Sequence, residues 1–163
     1  MIKASFFTLL AVLFISCGSF KKSNSFDYNQ GVYLSVSKTG CFGECPIYNL
    51  SLIGNKFNLE GYKFFDYLGE YIADVSATDF DEIVKLTESM DWYVYKAEYK
   101  TGYSDLPSTV VQYSNSVGDT TTVCFENNLA PNEIVELVNY MDNKIDTKDW
   151  TKISITISRF GKI

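Results

Sequence analysis

The sequence predicts an α+β domain, with an antiparallel sheet and two main helices packed on one of its faces. Three observations predict it. Apolar and polar residues alternate along several short segments, the period of a half-buried strand. Two longer stretches space their apolar residues three and four apart, the period of a helix buried along one stripe. Twelve Tyr and twelve Phe suit a pleated, half-buried surface. With 163 residues, 46% of them hydrophobic, the chain is long enough for one domain with its own core.

The elements follow in order. Val32, Leu34 and Val36 alternate with Tyr33, Ser35 and Ser37, so the folded part should begin near Gly31. Over residues 47–53, Tyr48, Leu50 and Leu52 share a face. Gly54-Asn55 then makes a tight turn, since both tolerate positive φ. Residues 56–62 return with Phe57 and Leu59 inward, and a fourth strand over 70–75 aligns Tyr71, Ala73 and Val75. A helix is expected over 78–90. Thr78 is its N-cap, Asp79 and Asp81 suit the positive end of its dipole, and Phe80, Ile83, Val84, Thr87 and Met90 face inward.

Residues 109–113 and 120–125 form a second hairpin around Val117-Gly118-Asp119. Pro131 suits the first position of a second helix over 131–145. Its stripe is Ala130, Ile134, Leu137, Val138, Met141 and Ile145, with Glu133, Glu136 and Asn139 turned away. Ile153, Ile155 and Ile157 alternate in a last short strand. Glu82-Ile83-Val84-Lys85-Leu86 and Glu133-Ile134-Val135-Glu136-Leu137 match at four of five positions, and each helix precedes a tryptophan, Trp92 or Trp150. That reads either as a duplicated ββα unit or as chance similarity between two amphipathic helices.

The N-terminus reads as an address. Lys3 precedes a ten-residue apolar run from Phe6 to Ile15. As a helix it would rise only about 15 Å, half of a bilayer core, so it is a signal and not a span. Leu13-Phe14-Ile15-Ser16-Cys17-Gly18 resembles a bacterial lipobox, with Phe14 a departure from the usual Leu, Val or Ile. In lipoproteins of that kind the cysteine is diacylated and the chain is cut just before it. The expected organisation is a signal peptide over 1–16, lipidation at Cys17, a polar tether over 17–30 and a single domain over 31–163. Two or more acyl chains suffice for stable anchoring. The tether carries no acidic cluster beside Cys17, and surface-export signals in such lipoproteins are typically acidic there. An outer-membrane lipoprotein of the bacterial cell envelope, facing the periplasm, is expected.

Composition excludes several chemistries. The chain has 14 Lys+Arg against 20 Asp+Glu, a net charge of −6, and Arg159 is its one arginine. That balance argues against nucleic acid as a partner, because phosphate-backbone binding needs basic patches. Histidine is absent, which removes Ser-His-Asp and Cys-His nucleophiles and every imidazole metal site. No cofactor is expected. Asp79, Asp81 and Glu82 cluster, but at a helix start, where acids are expected for dipole reasons. Nothing in the sequence fixes two carboxylates at catalytic separation.

Cys41-Phe42-Gly43-Glu44-Cys45-Pro46 is the most informative string. Gly43 and Pro46 disfavour a helix, so this is a loop entering the strand at Ile47. In an oxidising compartment Cys41 and Cys45 can close a small disulfide ring, leaving Cys124 as a small buried hydrophobe. Three thiols allow three pairings, and pairing of Cys124 with either partner stays open at this stage. The run from Thr39 to Tyr48, the hairpin with Gly54 in its turn and Gly61 at its end, and Ser104-Asp105-Leu106-Pro107-Ser108-Thr109 after Tyr99 or Tyr103 resemble domain of unknown function 6438. Ser104 stands where the family usually has Thr. Pro131 and Trp150 also fit. The family consists mostly of exported and lipoprotein-like proteins of Bacteroidota-type bacteria. The resemblance implies a fold and an address, and it transfers no catalytic residue.

The expected function is a membrane-anchored, non-catalytic binding or accessory module whose partner is an envelope protein or a glycan. Its candidate binding surface is Phe42, Glu44, Asp105 and Pro107, presented by the Cys41–Cys45 turn. The alternative is a thiol-based copper or redox protein using Cys41 and Cys45, since thiolates are soft ligands for Cu(I). Copper chaperones with a C-x-x-x-C-P string add a distant histidine and a thioredoxin-like core, and this sequence shows neither. Glu44 between the cysteines also works against a lowered thiol pKa.

Overall fold

The structure is a computed structural model that describes residues 33–103, 105–115 and 118–153. The signal, Cys17, the tether, Val32, Ser104, Val117, Ile155 and Ile157 lie outside the described residues. Strands β1 (Tyr33–Lys38), β2 (Ile47–Ile53), β3 (Lys56–Lys63) and β4 (Gly69–Asp74) precede helix α1 (Ala77–Glu88). Then come β5 (Glu98–Tyr99), β6 (Ser108–Ser114), β7 (Thr120–Glu126), helix α2 (Asn132–Thr147) and β8 (Thr151–Lys152). The strands form one sheet in the order β5-β7-β6-β1-β2-β3-β4-β8. Gly54, at φ 60°, makes the β2–β3 turn that its lack of a Cβ allows.

The sheet is mixed, which corrects the expected antiparallel one. β5 runs parallel to β7, pairing Glu98 with Cys124 and Tyr99 with Phe125, while every other pair in the sheet is antiparallel. A two-residue strand has no period to read. The last strand among the described residues, β8, ends at Lys152, and the Ile153 N–H donates to the Glu70 carbonyl at 2.8 Å. The rest of the expected isoleucine strand lies outside the described residues.

Register assembles the core. Leu34 lies opposite Leu52 and Tyr113, and Val36 opposite Leu50 and Val111. Phe57 and Leu59 continue the same face onto β3, and all of these except Tyr113 are essentially inaccessible to solvent. Both helices reach that face. Asp142 of α2 accepts a hydrogen bond from Tyr48 at 2.8 Å, and Tyr113 stacks on Trp92, just beyond α1, with centroids 4.6 Å apart. The α2 stripe of Ile134, Leu137, Val138, Met141 and Ile145 is buried, as its spacing predicts.

Two helix starts shift. Ser76, not Thr78, caps α1: its hydroxyl accepts the Asp79 N–H at 3.1 Å from an extended backbone. Ser76 and Asp79 stand three apart, the spacing of a capping box, so the helix begins before Thr78. Pro131 occupies the N-cap of α2 and not its first turn, at φ −51° and ψ 147°, with its carbonyl accepting from Ile134 and Val135. Both helices end under an indole. Trp92 Nε1 donates to the Thr87 carbonyl at 2.9 Å and Trp150 Nε1 to the Ile145 carbonyl at 2.8 Å. Each satisfies a carbonyl near the helix end, where intrahelical partners run out.

Candidate functional site

The pairing of β1 with β6 brings the two motif-bearing loops together. Its last register pair is Lys38 with Thr109. Beyond it, the Thr39 N–H donates to the Ser108 carbonyl at 2.9 Å, and the Ser108 N–H donates to Thr39 Oγ1 at 2.8 Å. Further out, the Phe42 N–H reaches the Asp105 carbonyl at a long 3.5 Å. Residues far apart in sequence thus share one end of the sheet.

Cys41 and Cys45 form a disulfide with Cα atoms 5.7 Å apart, inside the range such a bond requires. A loop this short contributes only about 2 kcal/mol on the chain-entropy argument, so its main effect is to set the turn. Phe42 projects from the turn with 92% of its surface exposed. Glu44 and Asp105 are exposed and Pro107 is half-buried. The opposing loop is held from below. Glu126, itself buried, accepts both the N–H and the hydroxyl of Thr101, and these hydrogen bonds hold its carboxyl below the usual carboxylate range.

Between the loops lies a pocket of about 240 Å³, lined by Lys38, Thr39, Cys45, Pro46, Tyr48 and Pro107. Its polar groups are already engaged. Lys38 pairs with Asp142 at 3.1 Å and donates to Thr109 Oγ1 at 3.1 Å. The Tyr48 phenol donates to Asp142, and its ring stacks on Phe65 at 4.6 Å. Burial, then the charge and hydrogen bond of Asp142, holds that phenol far above its ordinary pKa. What remains is an apolar recess at the same end of the sheet as the exposed Phe42. An exposed ring and an apolar recess at one end of a domain are features that contact surfaces share.

Cys124 is unpaired and half-buried, which corrects the fully buried position expected for it. Its register opposite Val110 and Glu98 turns it to the sheet face that the helices leave open. Among the described residues no group of three or more His, Cys, Asp or Glu gathers as a metal site would need.

The sequence reading missed the most connected charged group. Asp79, read as an acid favoured by the helix dipole, accepts from Lys144 at 2.8 Å, from Lys148, and from the Ser76 hydroxyl at 2.7 Å. The Tyr140 hydroxyl lies 3.4 Å away. Lys144 and Lys148 stand four apart beside the buried stripe of α2, which is the one local signal for such a site. Their partner, 65 and 69 residues upstream, left none.

Fold and site together define an α+β domain in which a disulfide-closed turn and a proline loop meet at one end of a sheet. The chain belongs to the family described as a domain of unknown function, DUF6438, which matches residues 32–145. That span contains both loops, α1 and most of α2. No curated protein matches the sequence.

Proposed function

We propose that this protein is a membrane-anchored lipoprotein of the bacterial cell envelope, lipidated at Cys17, whose folded domain is a non-catalytic binding or accessory module. The observation that carries the reading is the meeting of the two loops, which puts the exposed Phe42 and an apolar recess lined by Pro46 and Pro107 at the same end of the sheet. The lipobox-like run at Cys17 supports the anchor. The absence of an acidic cluster beside Cys17 favours an outer-membrane position facing the periplasm, and the exposed loop surface suits an envelope protein or glycan as partner. No helix among the described residues is long and apolar enough to cross a membrane.

Two measurements test this. A fatty-acid analogue should label the wild type and not Cys17→Ser; equal labelling removes the anchor. A photo-crosslinking residue at position 42 should give a defined adduct in intact cells, whereas one at the exposed Asn139 should not. Adducts of equal yield at both positions, or none at 42, would remove the loop surface. The copper alternative makes its own demand. If Cys41 and Cys45 are both alkylated in the native protein and one copper per chain survives gel filtration, the binding-module reading fails.

The duplicated ββα unit is part of the same proposal. It is supported by the matched helix segments and by the two indoles, each bonded to a carbonyl five residues back. Trp92→Phe and Trp150→Phe should each cost about 1 kcal/mol, the typical net value of one hydrogen bond. Urea denaturation showing a cost at only one of them would count against equivalence.

A further inference from the structure

The strand pleat leaves a second sheet face, opposite the helices, and an unusual row of residues crosses it. Ser37 stands opposite Asn49, Asn49 opposite Glu60, and Glu60 opposite Glu70, across β1, β2, β3 and β4. Like charges directly opposite on neighbouring strands destabilise a sheet. No lysine relieves this pair among the described residues: Lys56, on the same face of β3, is held by Asp74 at 2.5 Å. Among the described residues the Glu60 side chain accepts only the neutral Tyr62 hydroxyl, at 2.7 Å.

Beside the row is a hollow of about 210 Å³ bounded by Asn49, Ser51, Asn58, Glu60 and Glu70. Ser51 is only 4% exposed, and its hydroxyl makes no hydrogen bond among the described residues. No buried polar atom there is sealed off without a partner, so that hydroxyl opens into the hollow. Two exposed aliphatic side chains, Ile53 and Ile153, stand at the rim.

We propose that this hollow binds a primary alkylammonium group, as carried by a lysine side chain or a free alkylamine. An ammonium has three donors and no acceptor, and the Glu60 carboxylate, the Glu70 carboxylate and the Ser51 hydroxyl are three acceptors with no ion-pair partner among the described residues. The isoleucine rim covers a methylene stem, which lysine-type chains bury readily. The volume is below the range of roughly 300 Å³ upward typical of drug-sized ligands and suits one side chain. A bound ammonium neutralises the repulsion across β3 and β4. Calcium would also meet the two carboxylates, but it takes roughly six to eight oxygen ligands, and the aliphatic rim supplies none.

The test is a titration of the 15N-labelled full chain in detergent, followed by amide chemical shifts. Nα-acetyl-lysine methylamide and n-pentylamine should give saturable shifts centred on Ser51, Asn58, Glu60 and Glu70; the norleucine analogue should give none. Tighter binding of the lysine amide points to a protein partner, and equal binding to a free amine. Glu60→Gln should weaken binding about tenfold or more, the scale of one charge-assisted hydrogen bond. Because it also relieves like-charge repulsion, it should leave the free protein at least as stable as before. If Glu60→Gln misfolds, Glu70→Gln, nearer the sheet edge, carries the same expectation. An unsaturable response to both amines, an equal response to norleucine, or tighter saturation of these amides by calcium chloride overturns the proposal.

Discussion

Asp79→Asn should cost about 3 kcal/mol of folding stability at neutral pH, the lower end of what removing one partner of a buried ion pair costs. The side chains of Asp79, Lys144 and Lys148 are 12%, 13% and 17% exposed, so little water is available to replace a lost partner. Removing the carboxylate charge leaves two ammonium groups together, with Tyr140 and Phe57 rings as their remaining neighbours. Lys144→Met or Lys148→Met leaves the carboxylate one cation, so each should cost only about 1.5 kcal/mol, the low end for one charge-assisted hydrogen bond. Equal costs for all three variants in urea denaturation would show that Asp79 is no hub.

The same group sets a pH dependence. Burial alone would raise the Asp79 carboxyl pKa. Hydrogen bonds from Lys144, Lys148 and Ser76, with the charge of Lys144, outweigh burial and hold it well below the usual range. A depressed folded-state value means that the stabilisation is full above the unfolded value of about 3.9. It is lost as pH falls through the folded value. For Lys144 burial acts downward, but Asp79 and Tyr140 raise its pKa overall. Its contribution is therefore full below the unfolded value of about 10.4 and is lost as pH rises through the folded one. The gap between wild type and Asp79→Asn should be constant near neutrality and shrink below about pH 4. A gap that widens in acid would contradict the assignment.

Phe57→Ala should cost about 4 kcal/mol, in the range for emptying a buried aromatic site. Phe57 is fully buried, opposite Leu52 on β2 and Ala73 on β4, where backbone ladders on both sides limit collapse into the cavity. Lys148 Nζ lies 5.7 Å from the ring centroid, within reach of a cation–π contact. Phe57→Leu should therefore cost less than alanine but more than volume alone explains. The Phe57→Ala, Asp79→Asn double variant should lose less than the two single losses together, because both changes unseat Lys148. Strict additivity, measured by chemical denaturation, would deny that coupling.

The family motif was legible in the sequence because its parts are local strings, and the spacing of Cys41 and Cys45 allowed a small ring. Phe42, Glu44, Asp105 and Pro107 could be nominated from those strings, but the meeting of their two loops could not be read from them. It depends on β1 pairing with β6 across some seventy residues, which no window of sequence contains. The open-face row fails for the same reason. Glu60 and Glu70 each look like a solvated strand acid until register sets them opposite each other.

The sequence by itself determined the elements: the β2 boundaries, the glycine turn after it, and the buried stripe of α2. These follow from side-chain period and from backbone preferences acting over a few residues. The tertiary structure alone decided which strand neighbours which, that a two-residue β5 joins in parallel, and that the acid at the start of α1 is neutralised from the far end of α2. The physical reason is the range of the interactions. Alternation and helical spacing are written within one segment. Register, desolvation and charge pairing are set by residues that become neighbours only after the sheet has closed around its core.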